Sequence, residues 1–289
     1  MSSNIPYGKQ HITQADIDAV VTALQSDFLT QGPQIAAFEK AFAAYVGSKY
    51  AVAVANGTAA LHLCAMALGV DEHTNVITTP ITFAASANCI KYCGGHVYFA
   101  DIDSDTYLLD IEKVEALISS KPQGFFKGII PVDFAGRPVN LEAFRALANE
   151  YDLWIIEDAC HAPGGYFTDS KQQQQHCGNG QYANLAIFSF HPVKHIACGE
   201  GGMITTNDEA LYKKLLALRT HGITREQQLF KNDKQWAAGN TATAVTEYPC
   251  WYMEMQELGY NYRLTDFQAA LGISQLQRAD EGLVKRRNI

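Results

Sequence analysis

The sequence predicts an α/β protein, a mostly parallel central sheet with flanking helices, and three observations lead there. Short apolar runs alternate with stretches of helical period along most of the chain. The runs are continuous rather than alternating, as in strands buried on both faces. Turns containing Gly, Asn or Pro separate one period from the next.

The elements follow in order. ITQADIDAVVTALQSD (12–27) has apolar residues at helical spacing, with Thr13 as N-cap and Asp16 three residues later. IAAFEKAFAAYVG (35–47) reads as a second helix, stopped by Gly47. YAVAVA (50–55) is an apolar strand, NGT a turn and AALHLCAMALG (59–69) a helix. The unit recurs as strand NVITTP (75–80), helix FAASANCIKYCG (83–94) and strand HVYFADI (96–102). GIIPVDFAG (128–136) and LWIIEDA (153–159) are further strands, separated by the helical VNLEAFRALANEY (139–151). ANLAIFSF (183–190) reads as a buried strand, and GEGGMITTN (199–207) as a turn followed by a strand. The polar TDSKQQQQHCGNGQ (168–181) is expected as a solvated loop or hairpin tip, and 225–257 as an insertion that covers a surface or a partner, with no secondary structure assigned to it.

Composition excludes several classes. The 289 residues are 47% hydrophobic and 18% charged, enough for a sizeable core. Lys+Arg minus Asp+Glu is 22 − 30 = −8, which argues against a nucleic-acid-binding face. No run long enough to cross a membrane and no signal peptide is seen. Seven scattered cysteines suit reduced thiols and a cytoplasmic location.

The chemistry centres on FSFHPVKHIACGEGG, residues 188–202. His191, His195 and Cys198 have spacing that suggests a metal site, but Pro192 disfavours a helix across the two histidines and no further ligand pair stands elsewhere. No metal is therefore expected. Lys194 lies on an irregular segment between two core strands, where a solvated surface lysine is not the natural occupant. A partly desolvated lysine offers more free amine to attack a carbonyl.

A pyridoxal phosphate enzyme needs such a lysine, an acid for the pyridine nitrogen, a phosphate cup and a flat surface against the ring. Asp158 ends an apolar strand, where open sheets place ligands, though a strand-end Asp is also a common cap. NGTAAL is a glycine turn into a helix N-terminus that suits a phosphate. Ser189 could add a hydroxyl and Phe83 a stacking ring, although each is also ordinary core or turn material. Taken in order, phosphate turn, aromatic, acid, serine and lysine make a specific pattern.

LTQGP, NGTAALHL, TTPITFAASAN, GIIPVDFAG, IEDACHAPGG, FSFHPVKHIACGEGGMITTN, LRTHGITR and LGYNYRLTDFQAALGISQL together resemble the DegT-type nucleotide-sugar aminotransferases. The resemblance spans nearly the whole chain and implies the fold-type I scaffold of pyridoxal phosphate-dependent aminotransferases. It implies pyridoxal phosphate as cofactor, Lys194 as the Schiff-base lysine and Asp158 as partner of the pyridine nitrogen. It places His161 beside the phenolic oxygen, Phe83 against the ring, and Gly57, Thr58, Ala59 and Ser189 around the phosphate. Asn261 matches a residue that reaches the phosphate of the neighbouring subunit, which implies a homodimer with shared sites. Tyr7, Thr30, Gly32, His191 and Arg263 fall in segments that line the sugar-nucleotide site. A UDP-linked 4-keto-6-deoxy-N-acetylhexosamine and L-glutamate are the implied substrate and donor.

Relatives often read A-D-L where this chain has ANL, with Asn184. They also continue into a small C-terminal domain, so the resemblance implies one large domain over 1–260, the start of a linking helix over 261–289, and a missing C-terminal domain. Other readings stay open: an aminotransferase or 3-dehydratase for another nucleotide sugar, or a truncated relative that binds cofactor or partner without turnover. The dehydratase branch has His in place of Lys194, which argues against it.

Overall fold

The computed structural model describes residues 8–240 and 243–288. Helix α1 (Gln14–Leu24) begins on the expected capping box, with Asp16 accepting from the Thr13 amide at 2.8 Å and its hydroxyl at 3.0 Å. Helix α2 (Pro33–Val46) has Pro in its first turn and ends on Gly47, whose φ of 82° suits a residue without Cβ.

The strand-helix alternation then runs β1 (Tyr50–Val54), α3 (Gly57–Ala67), β2 (Asn75–Thr78), α4 (Ala85–Tyr92), β3 (His96–Phe99), α5 (Ile111–Ser119), β4 (Phe126–Ile130), α6 (Leu141–Tyr151) and β5 (Trp154–Asp158). A hairpin of β6 (Tyr166–Thr168) and β7 (Gln174–His176) precedes β8 (Leu185–Ser189), β9 (Gly202–Thr206) and α7 (Glu209–Arg219). The chain continues through β10 (Ile223–Thr224), α8 (Lys234–Ala237), β11 (Glu254–Met255), α9 (Asp266–Leu276) and α10 (Ala279–Arg287).

Seven strands form the main sheet in the order β1-β9-β8-β5-β4-β2-β3. Strand β9 runs antiparallel to both its neighbours, β1 and β8, and the remaining pairs are parallel. The reason is local: residues 190–201 carry no helix, so nothing makes the crossover a parallel return requires.

Alternation along the strands divides the core. Val52, Val54, Ile156, Leu185, Ile187 and Ile204 pack with α3, α4 and α7. Ala51, Ala53, Ala186, Phe188 and Met203 face α2 and α9. Ile77, Ile129 and Ile155 pack with α5 and α6. The inner strands are thus covered on both faces, as their continuous apolar runs require, whereas the edge strand β3 leaves His96 and Phe99 exposed.

Two polar segments carry more order than their sequence shows. The Gln-rich stretch does form a hairpin, but Asp169 in its turn, Gln175 on its second strand and Cys177 just beyond are buried. The polarity hides there because Asp169 accepts from the Gln175 side chain at 2.8 Å. The 225–257 insertion does carry structure: Phe230, Tyr248 and Tyr252 stack together, and Glu254 ties Lys231 and Asn232 by their amides, at 2.7 and 3.0 Å. Among the described residues no helix is long and apolar enough to cross a membrane.

Candidate active site

The carboxyl ends of β1, β2, β4, β5 and β8 open into one cleft of about 520 Å³. Its lining includes Gly57, Thr58, Phe83, Asp158, His161, Ser189, His191 and Lys194. Eight residues singled out in the sequence therefore meet at one place, where open parallel sheets hold ligands.

Each is delivered by local structure. Asn56 caps α3 by accepting from the Ala59 amide at 2.8 Å, and its carbonyl takes the Ala60 amide at 3.0 Å. That leaves the first-turn amides of Gly57 and Thr58 without intrahelical partners, and both residues line the cleft. The Ala59 amide, expected to join the phosphate cup, is committed to Asn56. Gly57 is required by close approach: a Cβ there would stand 3.0 Å from the Ser189 Cβ.

Asp158 ends the central strand β5 and is only 5% exposed. Its Oδ2 accepts from Ser86 Oγ at 2.7 Å and its Oδ1 from the Cys160 amide at 3.2 Å. The Cys160 thiol beside it is held protonated, burial and then the Asp158 charge pushing its pKa well above the ordinary value.

His161 follows on the next turn. Its Nδ1 accepts from the Ala135 amide at 3.3 Å, which assigns the neutral ring's proton to Nε2. Burial, and to a lesser degree the nearby Lys194, lowers its pKa, so the ring is neutral at physiological pH. The Ala135 amide is aimed by an unusual backbone, with φ of 54° at Ala135 and 85° at Gly136. A Cβ at Gly136 would meet the His161 carbonyl at 2.9 Å, so glycine is needed there.

Lys194 is half-buried on the irregular β8–β9 connection, its amide donating to the His191 carbonyl at 2.8 Å. These turns do not set His191 and His195 on one helix face. His195 is kept neutral, burial and then Arg286 lowering its pKa to about 4, and Cys198 is buried with its thiol pushed up to about 12 by burial.

Phe83 is 77% exposed although it lines a concave cleft. An aromatic ring left uncovered beside a buried carboxylate, a lysine and free helix-start amides is what a phosphorylated pyridine would need on its several sides. The residues present fit pyridoxal phosphate.

The remaining residues singled out in the sequence lie elsewhere. Gly32 and Arg263 line a separate hollow of about 250 Å³ with Glu39 and Arg219. The Gly32 amide is bound by Asp266 at 2.7 Å, Thr30 pairs with Thr265, and the exposed Asn261 pairs with Thr220. Tyr7 lies outside the described residues. Helix α9 packs on α1 and α2.

Sequence reasoning missed Thr82, Ser86, Asn56 and Cys160. The available signal for the first two was a pair of hydroxyls four residues apart in an otherwise apolar stretch, TFAAS. Asn56 was legible as an N-cap before a glycine turn.

Comparison with known proteins agrees with this geometry. The model of the DegT/DnrJ/EryC1/StrS aminotransferase family matches residues 10–289. The UDP-4-amino-4,6-dideoxy-N-acetyl-beta-L-altrosamine transaminase of Campylobacter jejuni subsp. jejuni serotype O:2 is 39% identical over 285 residues, 99% of this chain and 67% of that protein. The spore coat polysaccharide biosynthesis protein SpsC of Bacillus subtilis is 38% identical over the same share of each. This chain thus spans about two thirds of the length of these relatives.

Among solved structures, Helicobacter pylori PseC, an aminotransferase involved in the biosynthesis of pseudoaminic acid, superposes with a TM-score of 0.78 at 30% identity, over 96% of this chain and 67% of that one. A Streptococcus pneumoniae protein solved in its PLP form gives a TM-score of 0.78 at 27% identity, over 96% and 68%. The chain belongs to the DegT/DnrJ/EryC1/StrS family and is a pyridoxal phosphate-dependent sugar aminotransferase.

Proposed function

We propose that this chain transfers an amino group from L-glutamate to the C4 ketone of a UDP-linked 4-keto-6-deoxy-N-acetylhexosamine, forming UDP-4-amino-4,6-dideoxy-N-acetyl-β-L-altrosamine. One observation carries the chemistry: Lys194, Asp158, Phe83 and the free first-turn amides of α3 meet in one cleft. The sugar is supported by the 39% identity to the Campylobacter transaminase of that name. When bound, pyridoxal phosphate supplies an electron sink for charge that builds on the donor's carbon.

The residues take these roles. Lys194 would hold the cofactor through its amine, and the same amine, at the cleft wall, would move a proton at the donor's Cα. Asp158 places a negative charge beside the pyridine nitrogen and so raises that nitrogen's pKa, keeping it protonated. His161 would offer its Nε2 proton to the cofactor's phenolic oxygen, and Phe83 would cover one ring face. The Gly57 and Thr58 amides and Ser189 Oγ would bind the phosphate. His191, at the rim of the same cleft, contacts the sugar nucleotide.

Asn261 and Arg263, with Thr30, Gly32 and Tyr7, serve the site of a second copy in a homodimer. Among the described residues, the placement of Asn261, Arg263, Thr30 and Gly32 away from the Lys194 cleft supports this reading. All seven cysteines are free, which suits a cytoplasmic enzyme. SpsC, named for another polysaccharide, keeps a different nucleotide sugar as the second reading.

The test is the visible absorbance of the purified chain with pyridoxal phosphate, before and after L-glutamate, then mass spectrometry of the UDP-sugar product. A visible band that glutamate removes, followed by the amino sugar, is the expected result. No band, or one that persists in Lys194→Ala, overturns the role of Lys194. A band and half-reaction without this product would favour the second reading.

A further inference from the structure

A buried carboxylate that must serve a ring cation has to keep its charge and aim it, and both depend on the donors around it. Asp158 has two amino-acid neighbours that donate to it: the Cys160 amide from its own turn, and Ser86 Oγ from α4, seventy-two residues away in sequence, at 2.7 Å. Ser86 is 0% exposed and sits in the first turn of α4. Its hydroxyl is also 2.7 Å from Thr82 Oγ1.

The direction of this chain of bonds follows from proton counting. An ionised carboxylate only accepts, so the single Ser86 proton points to Asp158. Ser86 then has only lone pairs for Thr82, and Thr82 must be the donor. Thr82 lines the cleft, and Phe83 is the next residue. One short turn therefore carries the exposed aromatic ring and the hydroxyl chain behind the acid.

We propose that Thr82 and Ser86 are positioning residues: a one-way hydroxyl relay, Thr82 to Ser86 to Asp158, that pins Asp158 Oδ2, so that the acid and the Phe83 ring are held in register by the same turn. Ser86 is fully buried, and both hydroxyls act through Asp158. Its consequence for a bound cofactor rests on the pyridoxal phosphate reading, in which Asp158 meets the ring nitrogen. A weakly held carboxylate would stabilise the protonated ring less.

The test has one arm that needs no cofactor. In thermal unfolding of the full chain without cofactor, Ser86→Ala should lower the melting temperature and Thr82→Val should lower it less. Thr82→Ser, which keeps the hydroxyl, should match the parent. In the double variant, Thr82→Val should add nothing to Ser86→Ala, because the relay is already cut. Additive effects would overturn the relay.

The second arm uses ring-labelled pyridoxal phosphate and reads the ring nitrogen's NMR shift, together with the dissociation constant. Ser86→Ala should move the ring nitrogen toward its unprotonated shift and weaken binding by about tenfold or more, as loss of a donor to a buried charge does. A ring nitrogen unchanged in Ser86→Ala would overturn the positioning role. Failure of the parent chain to bind pyridoxal phosphate would instead sink the cofactor reading, and the cofactor-free arm judges the relay without it.

Discussion

Adjacent residues of β5 show two ways of burying a carboxyl. Asp158 sits on the α3 and α4 face, where Ser86 and the Cys160 amide donate to it at the cleft wall. Glu157, 1% exposed, points to the opposite face and meets Asp133, 0% exposed, with Cys177 close by; the three sets of polar atoms lie within 4.8 Å of one another. No Lys or Arg ion pair with either acid occurs among the described residues, and Asp133 Oδ2 is buried without a donor. A proton on Glu157 shared with that oxygen resolves the contact. Burial first, then the neighbouring acid, drives Glu157 well above the ordinary carboxyl range, and burial pushes Asp133 up to about 6. Donors aimed at a cleft preserve a charge for use, whereas a shared proton removes one from the interior.

A third buried acid completes the contrast. Asp16, 0% exposed, meets Arg278 at 2.5 Å and accepts from Ser274 Oγ at 2.6 Å and Gln275 Nε2 at 3.0 Å. Burial works to raise its pKa, but these bonds and those from Thr13 outweigh it and hold the carboxyl below its usual value.

The largest expected effect breaks the first half of the comparison. Asp158→Asn keeps shape and loses charge, and should cut turnover by about 10²–10⁴-fold in steady-state kinetics, with little change in melting temperature. Glu157→Gln, one residue away, should leave turnover close to the parent. If the two variants lost activity equally, the division of labour between the faces would be wrong.

Next comes Asp16→Asn, expected to cost about 3 kcal/mol in denaturant unfolding because Arg278 loses its partner. The Asp16 contribution is fully present above the unfolded carboxyl value of about 4 and is lost as pH falls through its lowered folded value. The Asp133–Glu157 pair behaves oppositely. Its contribution is full below about pH 4 and declines as pH rises through about 6 and beyond, since the folded state binds the extra proton. Glu157→Gln, whose amide can replace the shared proton, should flatten that decline. A pH scan of melting temperature separates the two slopes, and an unchanged slope in Glu157→Gln would refute the shared proton.

The smallest effect concerns Asn184, whose Oδ1 accepts from Arg145 at 2.8 Å and from the Ile155 amide at 2.9 Å. Asn184→Asp adds charge to an existing bond with a half-buried guanidinium and should stabilise by about 1 kcal/mol or less, read as a rise in melting temperature.

Much of this architecture was legible before any coordinates. Strand-helix alternation, the Thr13–Asp16 cap, the NGT turn and the lysine between two strands all depend on residues a few positions apart, where periodicity and capping chemistry act. The cleft residues Gly57, Thr58, Phe83, Asp158, His161, Ser189 and Lys194 stood at strand ends or in the irregular β8–β9 connection, so the sheet's own geometry brought them together.

Tertiary structure decided the rest. Ser86 reads as a plain helix residue until α4 docks it on Asp158, and Glu157 as a strand-end charge until Asp133 and the hairpin close over it. Asp16 resembled only a cap, yet it ties α1 to α9 and Arg278 across 262 residues. In each case the local pattern shows which polar group is present. Only the packed interior determines which donor, proton or cation offsets its loss of water, because that cost arises where distant segments meet.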